Sequence, residues 1–199
     1  MHLANPSQTR RVLALDSASQ TVPGRIFLAI AASALVAVAA HVSLPLPFTP
    51  VPLTLGNAAV LLVGLMLGPA TAFGALVLYL VEGAMGLPVF TPTGGPIGIA
   101  HLLGPNAGYL FAYPAAAAIA SAVVRNLKFT ASRFTAAVLA CSAATVVILS
   151  AGSAWLAVWM HLNLVTALKL GAIPFLAAEA LKIAAAAGIY AGIERWKRA

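Results

Sequence analysis

Charge is scarce in this chain. Only 8% of its 199 residues are Asp, Glu, Lys or Arg, and just four are acidic, whereas soluble chains carry about 25% charged residues. With 62% hydrophobic residues and a mean hydropathy of +1.00, the bilayer is the solvent for most of the sequence. The single cysteine, Cys141, sits in an apolar run, which excludes an intrachain disulfide and a cysteine metal cluster. The four histidines, His2, His41, His101 and His161, form no i,i+4 pair, so no metal site is expected. A Gly-rich phosphate loop followed by Lys and Ser or Thr is missing, so the chain has no ordinary ATP site and no cofactor is expected. Ser/His/Asp, paired-acid and zincin arrangements are missing too, which argues against an enzyme.

What is present is a series of long apolar runs. A window of about 20 residues predicts six spans, at 26–42, 51–67, 70–85, 108–124, 134–160 and 173–193. The expected fold class is an all-α integral membrane protein, a six-transmembrane-helix bundle. It divides into a mobile cytoplasmic N-terminal tail (1–25), a membrane domain (26–193) and a short basic cytoplasmic C-terminus (194–199). Only Gly68-Pro69 separates the second and third spans, which are short enough to be tilted or partly re-entrant.

The formal charge of +7 would suit nucleic acid, but the basic residues flank apolar runs, the pattern that orients membrane helices. No nucleic-acid partner is expected. Arg10, Arg11, Arg25, Arg125, Lys128, Arg133, Arg195, Lys197 and Arg198 fall on the side of the termini, and Lys169 alone falls opposite. Both termini are therefore placed in the cytoplasm. Thr9-Arg10-Arg11 resembles the start of a twin-arginine signal, but the apolar run follows too late and is too long for a signal peptide.

Glu179 and Lys182 lie three residues apart inside the sixth span. At about 1.5 Å rise per residue they sit roughly 9 to 14 Å in from Ile173, on one helix face. A charge near the bilayer centre costs about 2.5 to 3.5 kcal/mol on insertion scales and persists where it meets a partner, a substrate or water. These two are the leading candidates for a site, with mutual pairing as the plainer alternative.

Three outer loops accompany them. The first contains Pro45, Pro47, Pro50 and Pro52, which remove backbone donors and stiffen an extended path up to Thr54. A second runs from Gly86 past Phe90, Gly94, Gly95 and His101 to Gly104, Pro105 and Asn106, and a third, 169–175, enters the Glu/Lys helix. Irregular backbone near membrane depth is tolerated where protein or a watery cavity covers it. Pro47, Pro50, Pro52, Gly94, Gly95, Gly104 and Pro105 are accordingly assigned to a lid over a pocket.

The segments Leu-Pro-Phe48-Thr-Pro50-Val-Pro52-Leu-Thr54, Val-Gly64-Leu-Met-Leu-Gly68-Pro69, Leu78-Tyr79-Leu-Val-Glu82-Gly83, Gly86-Leu-Pro88-Val-Phe90, His101-Leu-Leu-Gly104-Pro105-Asn-Ala-Gly108-Tyr109 and Pro174-Phe175 before Glu179-x-x-Lys182 resemble the BioY family. These are the biotin-specific substrate-binding (S) subunits of energy-coupling-factor (ECF) transporters. The resemblance implies a six-helix protein of the bacterial inner membrane that captures biotin from outside. It also implies a complex with a transmembrane coupling subunit and two cytoplasmic ATPases, and it leaves open whether the chain forms a homo-oligomer. Two departures are visible: Gly56 stands where the family usually has glutamine, and Glu179 where it usually has aspartate. A site for another vitamin, or an intramembrane enzyme using Glu179 and Lys182, are the alternatives.

Biotin has an apolar bicycle, a ureido group with one carbonyl and two N–H donors, and an anionic valerate. Glu179 can accept from a ureido N–H, and Lys182 can donate to the ureido carbonyl or meet the carboxylate. Phe48, Phe90 and Tyr109 are candidates to pack on the rings, and Thr54, Asn57, Glu82, His101 and Asn106 complete the candidate lining. Glu82 could instead pair with a neighbour, and His101 and Asn106 could instead satisfy backbone groups. His41 is expected at the interface. Ala29, Ser33 and Ala37 form a small-residue row in the first span; close packing inside the bundle explains such a row, while the resemblance implies docking of the coupling subunit there.

Overall fold

In the computed structural model, residues 21–93, 95–127 and 132–197 are described. The expectations for residues 1–20, among them Arg10 and Arg11, and for Gly94, Lys128 and Arg198 lie outside them. Seven α-helices occur among the described residues: α1 Val22–His41, α2 Gly56–Met66, α3 Pro69–Ala84, α4 Ala107–Asn126, α5 Arg133–Trp159, α6 Leu164–Gly171 and α7 Leu176–Trp196. Two 3₁₀ segments, Gly98–Leu103 and Ile173–Phe175, precede α4 and α7.

Three helices start at side-chain caps. The Thr21 hydroxyl accepts from the Gly24 amide at 3.2 Å, and Pro23 supplies the φ of a first turn, so α1 begins at Val22. The tail boundary expected at residue 25 therefore falls inside a helix, because Arg25 interrupts hydropathy without interrupting the backbone. Ser132 caps α5 by accepting from Thr135 N at 3.1 Å, and Asn163 caps α6 by accepting from Thr166 N at 2.8 Å.

Four helical stretches are long and apolar enough to cross a membrane: α1, α4, α5 and the run 164–196. With 11 and 16 residues, α2 and α3 are shorter, reaching about 17 and 24 Å against a hydrocarbon core of about 30 Å. The second span starts at Gly56 and not at 51, since the apolar residues before it build a strand. Ser43–Leu44 and Leu53–Thr54 pair antiparallel, Ser43 opposite Thr54 and Leu44 opposite Leu53. This small ladder departs from the all-α expectation. It closes the proline loop where donors resume on either side of Pro45 and Pro52. The third loop is likewise mostly helical, as α6 and a 3₁₀ turn, because Asn163 caps it.

The buried helix α4 packs on α5, α3 and α2, while α7 packs on α5 and α2, and α1 on α3 and α2. A Cβ on Gly64 of α2 would stand 2.7 Å from the Ala117 carbonyl and 2.8 Å from Ala120 Cβ of α4. The missing side chain sets how closely those two backbones approach. Large apolar side chains such as Val22, Phe27 and Val38 face outward from α1, the surface that hydrocarbon covers.

The small-residue row on α1 turns inward at its centre. Ser33 is fully buried and donates to Glu82 of α3, while Ala29 and Ala37 pack partly buried against the core. Ser33 is thus taken up by the chain's own bundle and is not on a surface open to a partner.

Candidate functional site

One cavity opens between the proline hairpin, the loop carrying Thr91, the 3₁₀ turn of His101 and helices α1, α2, α3, α4, α5 and α7. Glu179 and Lys182 project into its wall from adjacent turns of α7, and both are buried. Lys182 Nζ lies 2.6 Å from Glu179 Oε1. The same oxygen accepts from Asn57 Nδ2 at 3.0 Å, and Asn57 Oδ1 accepts from the Tyr113 hydroxyl at 2.6 Å. The chain Tyr113–Asn57–Glu179–Lys182 links α4, α2 and α7, and leaves Glu179 Oε2 buried with no partner. Pairing and cavity lining are therefore both true of the Glu/Lys motif.

The lining rings Tyr113, Tyr79 and His101 are joined in a row through Phe90. Tyr113 stacks on Tyr79 with centroids 6.4 Å apart, Tyr79 meets Phe90 edge-on at 5.3 Å, and Phe90 stacks on His101 at 4.9 Å. Phe90 folds back onto Gly83, whose missing Cβ makes room for the ring. The Tyr79 hydroxyl donates to the Val89 carbonyl at 3.2 Å. The Tyr109 hydroxyl donates to the Gly171 carbonyl at 2.7 Å, joining α4 to the end of α6. His101 Nδ1 lies 3.2 Å from the Pro96 carbonyl. Burial lowers the affinity of this imidazole for a proton, and the Pro96 contact opposes that in part.

Of the candidate ligand residues, Thr54, Asn57, His101, Asn106, Tyr109, Glu179 and Lys182 line the cavity, together with Pro52 of the proline hairpin. Phe90 stands behind that lining, in contact with Tyr79 and His101. Phe48 is not brought to the cavity: it is 57% exposed, because the hairpin turns Thr49 inward instead, where its hydroxyl accepts from Val51 N. Glu82 takes the plainer alternative, pairing with Ser33. His41 is exposed and bonds the Ala37 carbonyl at 2.8 Å.

Pro47 and Pro50 are exposed at the hairpin tip, and Gly95 adopts a φ of 125°. The two outer loops are joined by hydroxyls, Thr93 donating to Ser43 at 3.1 Å. Gly104 and Pro105 lie where the second loop is fastened to α5: Trp155 Nε1 donates to the Gly104 carbonyl at 2.9 Å and Trp159 Nε1 to that of Leu103 at 3.0 Å. Sequence reasoning missed Tyr113, Tyr79 and both tryptophans as site-shaping residues. Tyr113 carried a usable signal, since it stands one turn beyond Tyr109 on the same face of α4.

At the far end of the bundle, the start of α5 and the end of α7 meet around Arg133 and Arg195, with Lys197 paired to Glu194 at 3.4 Å. Among the described residues, no group of three His, Cys, Asp or Glu side chains could hold a metal.

A family model described as the BioY family matches residues 11–199. The probable biotin transporter BioY of Pyrococcus horikoshii is 37% identical over 153 residues, 77% of this chain and 85% of that protein. The biotin transporter BioY2 of Lactococcus lactis subsp. cremoris is 34% identical over 151 residues, 75% of this chain and 79% of that protein. Among solved structures, the S-component for biotin from an ECF-type ABC transporter superposes with a TM-score of 0.77 at 23% identity, covering 86% of this chain and 90% of that one. At that identity the superposition establishes the fold.

Proposed function

The chain belongs to the BioY family, and on that footing we propose that it captures biotin and serves as the substrate-binding subunit of an ECF-type importer. The observation that carries this reading is the buried network Tyr113–Asn57–Glu179–Lys182 on the wall of the cavity. Two charges and an amide held inside an apolar bundle are costly unless they meet polar groups of matching geometry. A ureido group provides them: its N–H donors suit Glu179 Oε2, and its carbonyl suits Lys182, which has three donor hydrogens. Charge-assisted bonds of this kind contribute about 1.5 to 3 kcal/mol each. The apolar bicycle packs against the wall of Tyr109, Tyr113 and Leu110.

The chain is a membrane protein and not an enzyme, its relatives being transporters by name. The cavity end faces outward and the Arg133/Arg195 end faces the cytoplasm of a bacterial inner membrane; the crowding of basic side chains at the latter supports that orientation. Energy comes from a transmembrane coupling subunit and two ATPases.

Equilibrium binding of labelled biotin to the purified chain in detergent, with unlabelled biotin, thiamine and riboflavin as competitors, tests the reading. Stoichiometric binding displaced by biotin alone is expected. Displacement by another vitamin, or no binding by folded protein, would overturn it.

A further inference from the structure

His101 is only 2% exposed, and its Nε2 has no hydrogen-bond partner. Its other ring nitrogen faces the Pro96 carbonyl. A carbonyl only accepts, so Nδ1 carries the hydrogen and, in the neutral ring, Nε2 is an acceptor. Buried polar atoms in native proteins are matched unless something else explains them.

The ring is also held in place. Phe90 stacks on it with an interplanar angle of 26°, and the indoles of Trp155 and Trp159 hold the carbonyls of Gly104 and Leu103 just beyond it. A second buried acceptor without a partner, Glu179 Oε2, belongs to the same cavity.

We propose that His101 determines specificity by accepting a hydrogen bond at Nε2 from an N–H of the ligand, so that with Glu179 Oε2 the cavity selects a molecule carrying two N–H donors. This rests on the biotin reading, whose ureido group has two such donors. A protonated imidazole would set N–H against N–H and lose the contact; the burial that disfavours the charged ring keeps it in the accepting form.

The other titratable groups on the cavity are Tyr79 from α3, Tyr109 and Tyr113 from α4, and Glu179 and Lys182 from α7; α1, α2 and α5 bring none. Among these side-chain types, imidazole is the one whose ordinary pKa places its charge change between pH 5 and 8.

The test is equilibrium binding of labelled biotin between pH 8 and pH 5.5, with the full chain and its His101→Phe and His101→Gln variants. Affinity of the parent should fall on acidification. His101→Phe, which keeps the stack but cannot accept, should bind about tenfold or more weakly at pH 8 and lose the pH dependence. His101→Gln, which restores an acceptor, should bind more tightly than His101→Phe and be equally flat with pH.

A parent that binds biotin with constant affinity across this range, or a Gln variant no tighter than the Phe variant, overturns the proposal and leaves the biotin reading standing. A parent that binds no biotin at any pH overturns both. Should His101→Phe not fold, the Gln variant and the parent's pH profile decide.

Discussion

The hydroxyl of Tyr113 donates to Oδ1 of Asn57 at 2.6 Å, which turns the amide so that Nδ2 faces Glu179 at 3.0 Å. A tyrosine of α4 thereby orients an amide of α2 toward a carboxylate of α7. Tyr113→Phe should keep the fold and weaken biotin binding about five- to tenfold, the worth of roughly 1 kcal/mol for one hydrogen bond. Isothermal or filter binding checks it, and an unchanged affinity would mean that the amide is held by other means.

Lys182→Met should remove most biotin affinity, about 100-fold, by taking away a donor and leaving Glu179 charged and short of a partner. Expression and detergent behaviour should match the parent. Glu179→Gln should cost less, since a neutral acceptor remains; if it costs nothing, the carboxylate charge is structural.

Gly83→Ala places a methyl group where the Phe90 ring now lies. Overpacking of this kind costs about 1 to 3 kcal/mol, so the thermal midpoint in detergent should drop. Because Phe90 supports His101, biotin affinity should drop with it. A variant as stable as the parent but weak in binding would separate the two effects.

Trp155→Phe and Trp159→Phe each remove one indole donor from the carbonyls of Gly104 and Leu103. Each should cost about 1 kcal/mol and speed biotin dissociation several-fold, measured by chase with unlabelled ligand. Trp155 should matter more, because it is the less exposed of the two bonds.

The buried imidazole of His101 has a pKa below its ordinary 6.5, so the unfolded chain takes up the proton more readily than the folded one. The stability contribution is therefore fully present above pH 6.5 and is lost as pH falls through 6.5 toward the lower folded value. Unfolding midpoints at pH 8, 6.5 and 5 should decline in that order for the parent, and His101→Phe should flatten the decline.

Helix positions were legible because apolar runs report the solvent directly. The six expected spans all fall on helices, though Leu53–Thr54 pairs as a strand before the second helix and the third loop is taken up by the end of α6 and a 3₁₀ turn. Those two differences have local causes, proline spacing and the Asn163 cap, which hydropathy does not register. The Glu179/Lys182 pair was legible because a charge is conspicuous in an apolar span. Phe48 was not legible: an aromatic in a loop looks the same whether the backbone turns it in or, as here, leaves Thr49 inside.

By itself, then, the sequence determined the solvent, the approximate helices, the family resemblance and the intramembrane ion pair, all of which follow from the chemistry of contiguous or near-contiguous residues. Only the tertiary structure decided that Asn57, 122 residues from Glu179, bonds it, that Ser33 spends its hydroxyl on Glu82, and that Tyr113, Tyr79, Phe90 and His101 stand in one row. Hydrogen bonds and ring contacts act over a few ångströms in space, and which distant side chains come that close is fixed by how the helices cross, a property of the packed bundle and not of any one segment.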